Sequence, residues 1–239
     1  MSKYKLTNEQ GLFRIQALVD IPSQNVKAGD LGGLVASEGN LSQEGTCWIY
    51  NNAIVSDNAI VSGNARVSDN ALVYGNARVY DNALVYDNAR VYDNAHISGN
   101  SRVSGNAHVS GKALVYGNAL VSGNARISGN AHVSDNVIVY GNACISGNAR
   151  VSGNARISGN AIIYGNAEIS ASSDYLTISP IGSEGGCLTA FKTKQGISVN
   201  RGCFSGTLDE FAEAVAETHG NNKYAKQYQL AVKLIKSSL

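Results

Sequence analysis

A chain of 239 residues with 44% hydrophobic content is long enough to bury a core, and a formal charge of +1 excludes the global field that marks nucleic-acid binders or acidic mimics. No apolar run is long enough to cross a bilayer, and Met1 to Leu6 does not open a signal peptide, so a cytoplasmic protein without membrane partners is expected. Cys47, Cys144, Cys187 and Cys203 form no C-x-x-C pair and are expected to be buried free thiols in a reducing compartment.

Residues 1–46 have no strict period. Leu12 to Val19 alternates as a strand does, and Gly29 to Gly33 has turn composition. An open solenoid end leaves backbone groups unpaired, so this segment is expected to cap the repeats that begin at Cys47.

From Cys47 to Asn166 one hexad, A-x-[VI]-[SY]-[GD]-N, repeats twenty times without an insertion. Position three is always Val or Ile, position one is Ala in seventeen units, and position six is Asn in nineteen, with Lys112 the exception. A period this strict predicts a stacked solenoid over 47–170. Positions one and three point inward along an extended segment and position two points out. Asn at position six suits the left-handed backbone of a tight corner, and Gly or Asp at position five suits the turn. Two hexads per coil would stack Arg66, Arg78, Arg90 and Arg102 roughly 4.8 Å apart, placing like charges opposite one another. With three hexads per coil no Arg of the run lies eighteen residues from another, so a three-sided coil is expected.

After Ser170 the composition changes. Strands are expected near Cys187–Phe191 and Gly196–Val199, joined by the turn at residues 192–195. Thr207 with Glu210 forms a capping-box pattern, and Leu208, Phe211 and Val215 recur at helical spacing up to Gly220. A second helix over about 223–237 carries Tyr224, Tyr228, Ala231 and Ile235 on one stripe. Residues 171–239 therefore read as a separate module, a β-hairpin with two helices.

The hexads resemble the hexapeptide repeat of left-handed parallel β-helix proteins, with an aliphatic inward residue and a small residue two before it. The resemblance implies a left-handed prism of about seven eighteen-residue coils, roughly 30 Å tall at the strand spacing. Repeat, cap and tail together resemble hexapeptide-repeat proteins encoded by phages and prophages, often named as transferases.

That superfamily is best known for acyltransferases, which use a His as general base. Here His96, His108 and His132 all occupy outward position two, with no insertion nearby to wall off an acyl-carrier pocket. Surface filling is therefore favoured over catalysis, and no catalytic residue is assigned. His219, just before Gly220, is expected to serve the helix end.

Position two also holds seven Arg and eight aliphatic residues. Ile54, Ile60, Leu72, Leu84, Leu114, Leu120, Ile138 and Ile162 form a surface that a neighbouring subunit is expected to cover, and the resemblance implies a trimer. The Arg residues read either as interface packing or as an anion pocket between subunits. Arg90, His108 and Arg126 share one side of a three-sided coil, while Arg78, His96, His132 and Arg150 share another, interrupted by Leu114. The eight Tyr at position four rotate around the prism and make no stripe for stacking a nucleic-acid polymer. Only six units place Asp at position five, so a calcium solenoid is excluded and neither metal nor cofactor is expected. The expected function is a non-enzymatic oligomeric binding or scaffold protein. An anti-defence role is included, through a host protein or a small anionic nucleotide, with an acyltransferase as the alternative.

Overall fold

The computed structural model describes residues 2–9 and 11–239; Met1 and Gln10 of the N-terminal segment lie outside them. Strands β1 (Tyr4–Glu9), β2 (Leu12–Ala17) and β3 (Leu31–Val35) form the N-terminal sheet. Twenty-one two-residue strands, β4 (Trp48–Ile49) to β24 (Glu168–Ile169), follow at six-residue intervals. Strands 18 residues apart pair in parallel register, as Arg90 with His108 and His108 with Arg126, giving three sheets and a three-sided coil.

The hexad dictates this directly. Val55, Val73, Val91, Val109, Ile127, Ile145 and Ile163 stack as one fully buried column of the core, with Ala at the neighbouring inward position. The corner differs from the sequence expectation in one respect. Position five, not position six, takes the left-handed backbone: Asp57 has φ 55°, Gly63 φ 65° and Asp69 φ 61°. Position-six Asn is released to bond along the prism. Asn58 Nδ2 donates to Asn76 Oδ1 at 3.2 Å, and Asn76 Nδ2 to Asn94 Oδ1 at 3.1 Å.

The prism is polar along its axis. The N–H of Ile54 donates to the carbonyl of Ala71 and that of Ser56 to Val73, each one coil onward. The first coil therefore has unclaimed carbonyls and the last has unclaimed N–H groups, and each end is closed by groups of the matching kind. At the start, Lys3 Nζ donates to the carbonyl of Cys47 at 3.1 Å, and Asn40 Nδ2 to those of Asp57 and Ala59 at 3.0 and 2.9 Å. At the far end, the N–H of Arg156 donates to Ser172 Oγ at 3.0 Å and that of Ile162 to Thr189 Oγ1 at 3.1 Å.

The turn expected over Gly29 to Gly33 is limited to its start, where the Asp30 N–H donates to the Lys27 carbonyl at 3.0 Å; residues from Leu31 onward form β3, which pairs in parallel with β5 (Ile54–Val55) through Leu34–Ile54 and Val35–Val55. A Cβ on Gly32 would sit 2.5 Å from Ile15 Cγ1, and one on Gly33 would strike Ile49, so both positions need glycine to let the backbone approach. One face thus gains a rung, and the prism has between seven and eight turns: eight parallel strands (β3 and seven from the hexads) on that face, seven on each of the others.

The C-terminal sheet has four strands rather than a hairpin: β25 (Tyr175–Ile181), β26 (Gly186–Thr193), β27 (Gly196–Arg201) and β28 (Phe204–Thr207), in that antiparallel order. Helices α1 (Leu208–His219) and α2 (Lys223–Ser238) pack on it through Leu208, Phe211, Val215, Tyr228 and Ile235. The capping box forms as its residues require: Thr207 Oγ1 accepts from the Glu210 N–H at 3.2 Å, and Glu210 Oε2 accepts from the Thr207 N–H at 2.7 Å. Of the four thiols, all free, only Cys47 is buried; Cys144 and Cys187 are half-buried and Cys203 is exposed, because the latter three lie outside the prism interior. No helix among the described residues is long and apolar enough to cross a membrane.

Candidate functional site

Position two lies opposite the inward residues of each two-residue strand, so every side chain there joins a vertical row. On the first face the row runs Leu34, Ile54, Leu72, Arg90, His108, Arg126, Cys144, Ile162. Three basic groups are therefore bracketed by apolar residues at both ends. The second face runs Trp48, Arg66, Leu84, Arg102, Leu120, Ile138, Arg156. The third runs Ile60, Arg78, His96, Leu114, His132, Arg150, Glu168.

The expected anion-binding residues thus divide between two faces. Arg90, His108 and Arg126 form one unbroken row on the first. Arg78 and His96 are separated from His132 and Arg150 by Leu114 on the third, and Glu168 lies beside Arg150.

Electrostatics act alike on a histidine in each of these rows. Partial burial lowers the His108 pKa below its ordinary value of 6.5, and the Arg90 and Arg126 guanidinium groups lower it further. Burial acts in the same direction on His96, helped by Arg78. Both imidazoles are neutral at pH 7 and keep one acceptor nitrogen each. Tyrosines from position four orient them: Tyr92 meets His108 edge-on at 6.3 Å between ring centroids, and Tyr80 meets His96 in the same way at 6.3 Å. Tyr92 is held in turn by a parallel stack on Tyr74 at 5.1 Å.

The expected interface residues are spread over all three faces: Ile54, Leu72 and Ile162 on the first, Leu84, Leu120 and Ile138 on the second, Ile60 and Leu114 on the third. Ile60, Leu120 and Ile162 are exposed, whereas the other aliphatics of the set are half-buried. Trp48 is not outward-facing surface at all. The N-terminal segment covers it, and Tyr4 packs against it edge-on at 6.5 Å.

Two features escape a reading of the hexad alone. Position-five Asp carboxylates act as acceptors along the prism, Asp57 Oδ2 from the Gly75 N–H at 2.9 Å and Asp81 Oδ2 from the Gly99 N–H at 3.0 Å. The Gly-or-Asp alternation at position five is the sequence signal for them. The second is a cleft of about 360 Å³ where the cap meets the second face, lined by Gln24, Tyr50, Arg66, Leu84 and Tyr86. Its builder is Gln24, whose carbonyl and side-chain oxygen accept from the Tyr50 hydroxyl at 2.7 and 3.0 Å; nothing local in the sequence announces it. Among the described residues no cluster of His, Cys, Asp or Glu is placed to hold a metal ion.

The repeat family described as "YdcK Beta solenoid repeat" matches the chain in overlapping windows covering residues 49–99, 113–141 and 143–170. A curated protein of Escherichia coli (strain K12), named "Uncharacterized acetyltransferase YdcK", is 39% identical over 79 residues, which is 28% of this chain and 24% of that protein. The chain therefore covers about a quarter of this relative's length. Both matches support a place in the hexapeptide-repeat β-helix superfamily.

Proposed function

We propose that the chain is a non-enzymatic binding and scaffold protein that assembles side to side as a trimer and takes a small anionic ligand where subunits meet. The observation that carries this reading is the row Arg90–His108–Arg126, in register on a flat face and bracketed by Leu72 and Cys144. Phosphate oxygens match paired guanidinium donors, and a neighbouring subunit would exclude the water that weakens such pairs. A closed threefold ring joins two different faces at every contact, so the first face of one subunit would meet the second face of the next. Ile54, Leu72 and Ile162 would then oppose Leu84, Leu120 and Ile138. The resemblance to phage and prophage proteins makes a host-directed role the natural setting, by occupying a host protein or sequestering a signalling nucleotide.

Calorimetric titration with mono-, di- and cyclic nucleotides, with sedimentation to read the assembly, tests the proposal. Binding is expected to weaken on Arg90→Gln and on Arg126→Gln. A monomer at high concentration, or heat unaffected by either substitution, would overturn it.

The printed name of the Escherichia coli relative favours a second reading, acetyl transfer with His108 as general base. Its lowered pKa favours the neutral imidazole, the form a general base requires, while making it a weaker base. Acetyl-coenzyme A at a hundredfold excess over its dissociation constant would stabilise the protein by about 2.7 kcal/mol. An acyl-transfer rate that disappears in His96→Ala, His108→Ala or His132→Ala would establish the enzyme reading. No thermal shift at millimolar acetyl-coenzyme A would count against it.

A further inference from the structure

Away from the basic rows, the C-terminal module forms an open cavity of about 510 Å³ between the end of the four-stranded sheet and the two helices. Rings form its wall in an unbroken series. Phe204 meets Phe211 at 5.2 Å, Phe211 meets Tyr228 edge-on at 5.5 Å, and Tyr228 stacks on His219 at 5.6 Å. Arg201, at the end of β27, is the one Lys or Arg in the lining.

Arg201 is poorly satisfied for a guanidinium whose side chain is only 11% exposed. Nη2 donates to the Ile181 carbonyl at 3.0 Å. Nη1 lies 4.0 Å from Glu184 Oε2, a carboxylate on a side chain 83% exposed. Nε is buried and has no hydrogen-bond partner among the described residues. Burying a charge with so little compensation is costly, so a structural role alone is a weak account of this arginine.

The backbone is nevertheless shaped to hold it. A Cβ on Gly186 would fall 2.6 Å from Arg201 Nη1, and one on Gly182 would strike the Tyr228 hydroxyl. Glycines at the two ends of the β25–β26 turn thus leave room for the cation and for the wall.

We propose that this cavity binds a small organic anion, a carboxylate carried on an aromatic or aliphatic body. The carboxylate would pair with Arg201 in place of the loosely held Glu184, and the body would lie against Phe204, Phe211 and Tyr228. A planar carboxylate suits two guanidinium donors, and aromatic walls suit an apolar remainder. The carboxylate could belong to a free acid or to the C-terminus of a peptide.

Cys203, exposed and part of the lining, provides the readout. The full-length protein would be alkylated with iodoacetamide and the rate at Cys203 followed by peptide mass spectrometry. Indole-3-acetate and a tetrapeptide ending in Trp with a free carboxylate are the probes, compared with indole-3-acetamide and the amidated peptide. A probe at about ten times its dissociation constant should slow the reaction about tenfold if only the unoccupied fraction reacts. The acids are expected to protect and the amides not to. Protection should be lost in Arg201→Gln and strengthened in Glu184→Gln, where the competing carboxylate is gone from an exposed site that folding does not need. Stronger protection by the free acid identifies a small-molecule site, and stronger protection by the peptide identifies a chain terminus. Equal protection by acids and amides, no protection at millimolar concentration, or indifference to Glu184→Gln would overturn the proposal.

Discussion

The asparagine at position six turns a corner residue into a tie between coils. Because position five absorbs the left-handed backbone, the Asn side chain lies along the axis, donating to one neighbour and accepting from the other, as Asn118 does with Asn136 and Asn100. Lys112 interrupts one of the three ladders between Asn94 and Asn130. Lys112→Asn is expected to raise unfolding stability by about 0.5–1 kcal/mol per restored exposed bond, read from urea denaturation. An unchanged midpoint would mean that the ladder orders the surface without stabilising it. The histidines carry a pH signature. His96 and His108 have folded pKa values below 6.5, so the unfolded chain binds more protons as pH falls through that value. Stability contributed by their neutral forms is present above about pH 6.5 and is lost on acidification. The double variant His96→Gln/His108→Gln should lose less melting temperature between about pH 7.5 and about pH 5.5 than the parent. The sequence could not say which corner residue takes positive φ, since Asn and Gly both tolerate it and stand side by side. Only the stacking of coils decides.

Elements at the two ends answer opposite backbone demands. Carbonyls of the first coil are met by donors and N–H groups of the last by hydroxyl acceptors. Asn40, 1% exposed, serves two carbonyls at once. Asn40→Ala should cost about 2 kcal/mol, since the Ala59 carbonyl would be left buried and that of Asp57 half-buried without a partner; a loss under about 0.5 kcal/mol would mean that water replaces the amide. At the far junction, burial by itself would raise the Asp174 pKa. The Lys192 ammonium at 2.9 Å and donors from Ser170 and Ala171 outweigh it and hold the carboxyl well below the usual range. Phe211 joins the helices to the sheet at 3% exposure. Phe211→Ala is expected to cost about 3–5 kcal/mol in thermal or urea unfolding, and a cost under about 1 kcal/mol would contradict the packing. The two helices are legible because a capping box and a 3.6-residue stripe are local signals. Strand β3 is not, because Gly33-Leu34-Val35 is a hexad start without its Ala or its closing Asn. Strands β25 and β28 are hidden for a related reason: Pro180 and Gly206 mask pairing that only the neighbouring strand supplies.

Across the whole molecule, one period determines both shape and surface. Eighteen residues per coil bring each Arg against an apolar residue, a His or Glu168 and never against another Arg, which lets seven arginines stand on outward positions without stacking like charges. The rows were legible in the sequence once the coil was three-sided, because register follows from counting. Arg201 was not, because its surroundings come from helices and a turn far from it in sequence. We propose that the first-face row holds an anion when subunits assemble. Mass spectrometry of the small molecules released on denaturing the purified protein tests it most directly. The account expects a phosphate-bearing compound from the parent protein that is missing from Arg90→Gln/Arg126→Gln. The same compound released equally by both would contradict the account, as would no anion released and no calorimetric heat from any nucleotide.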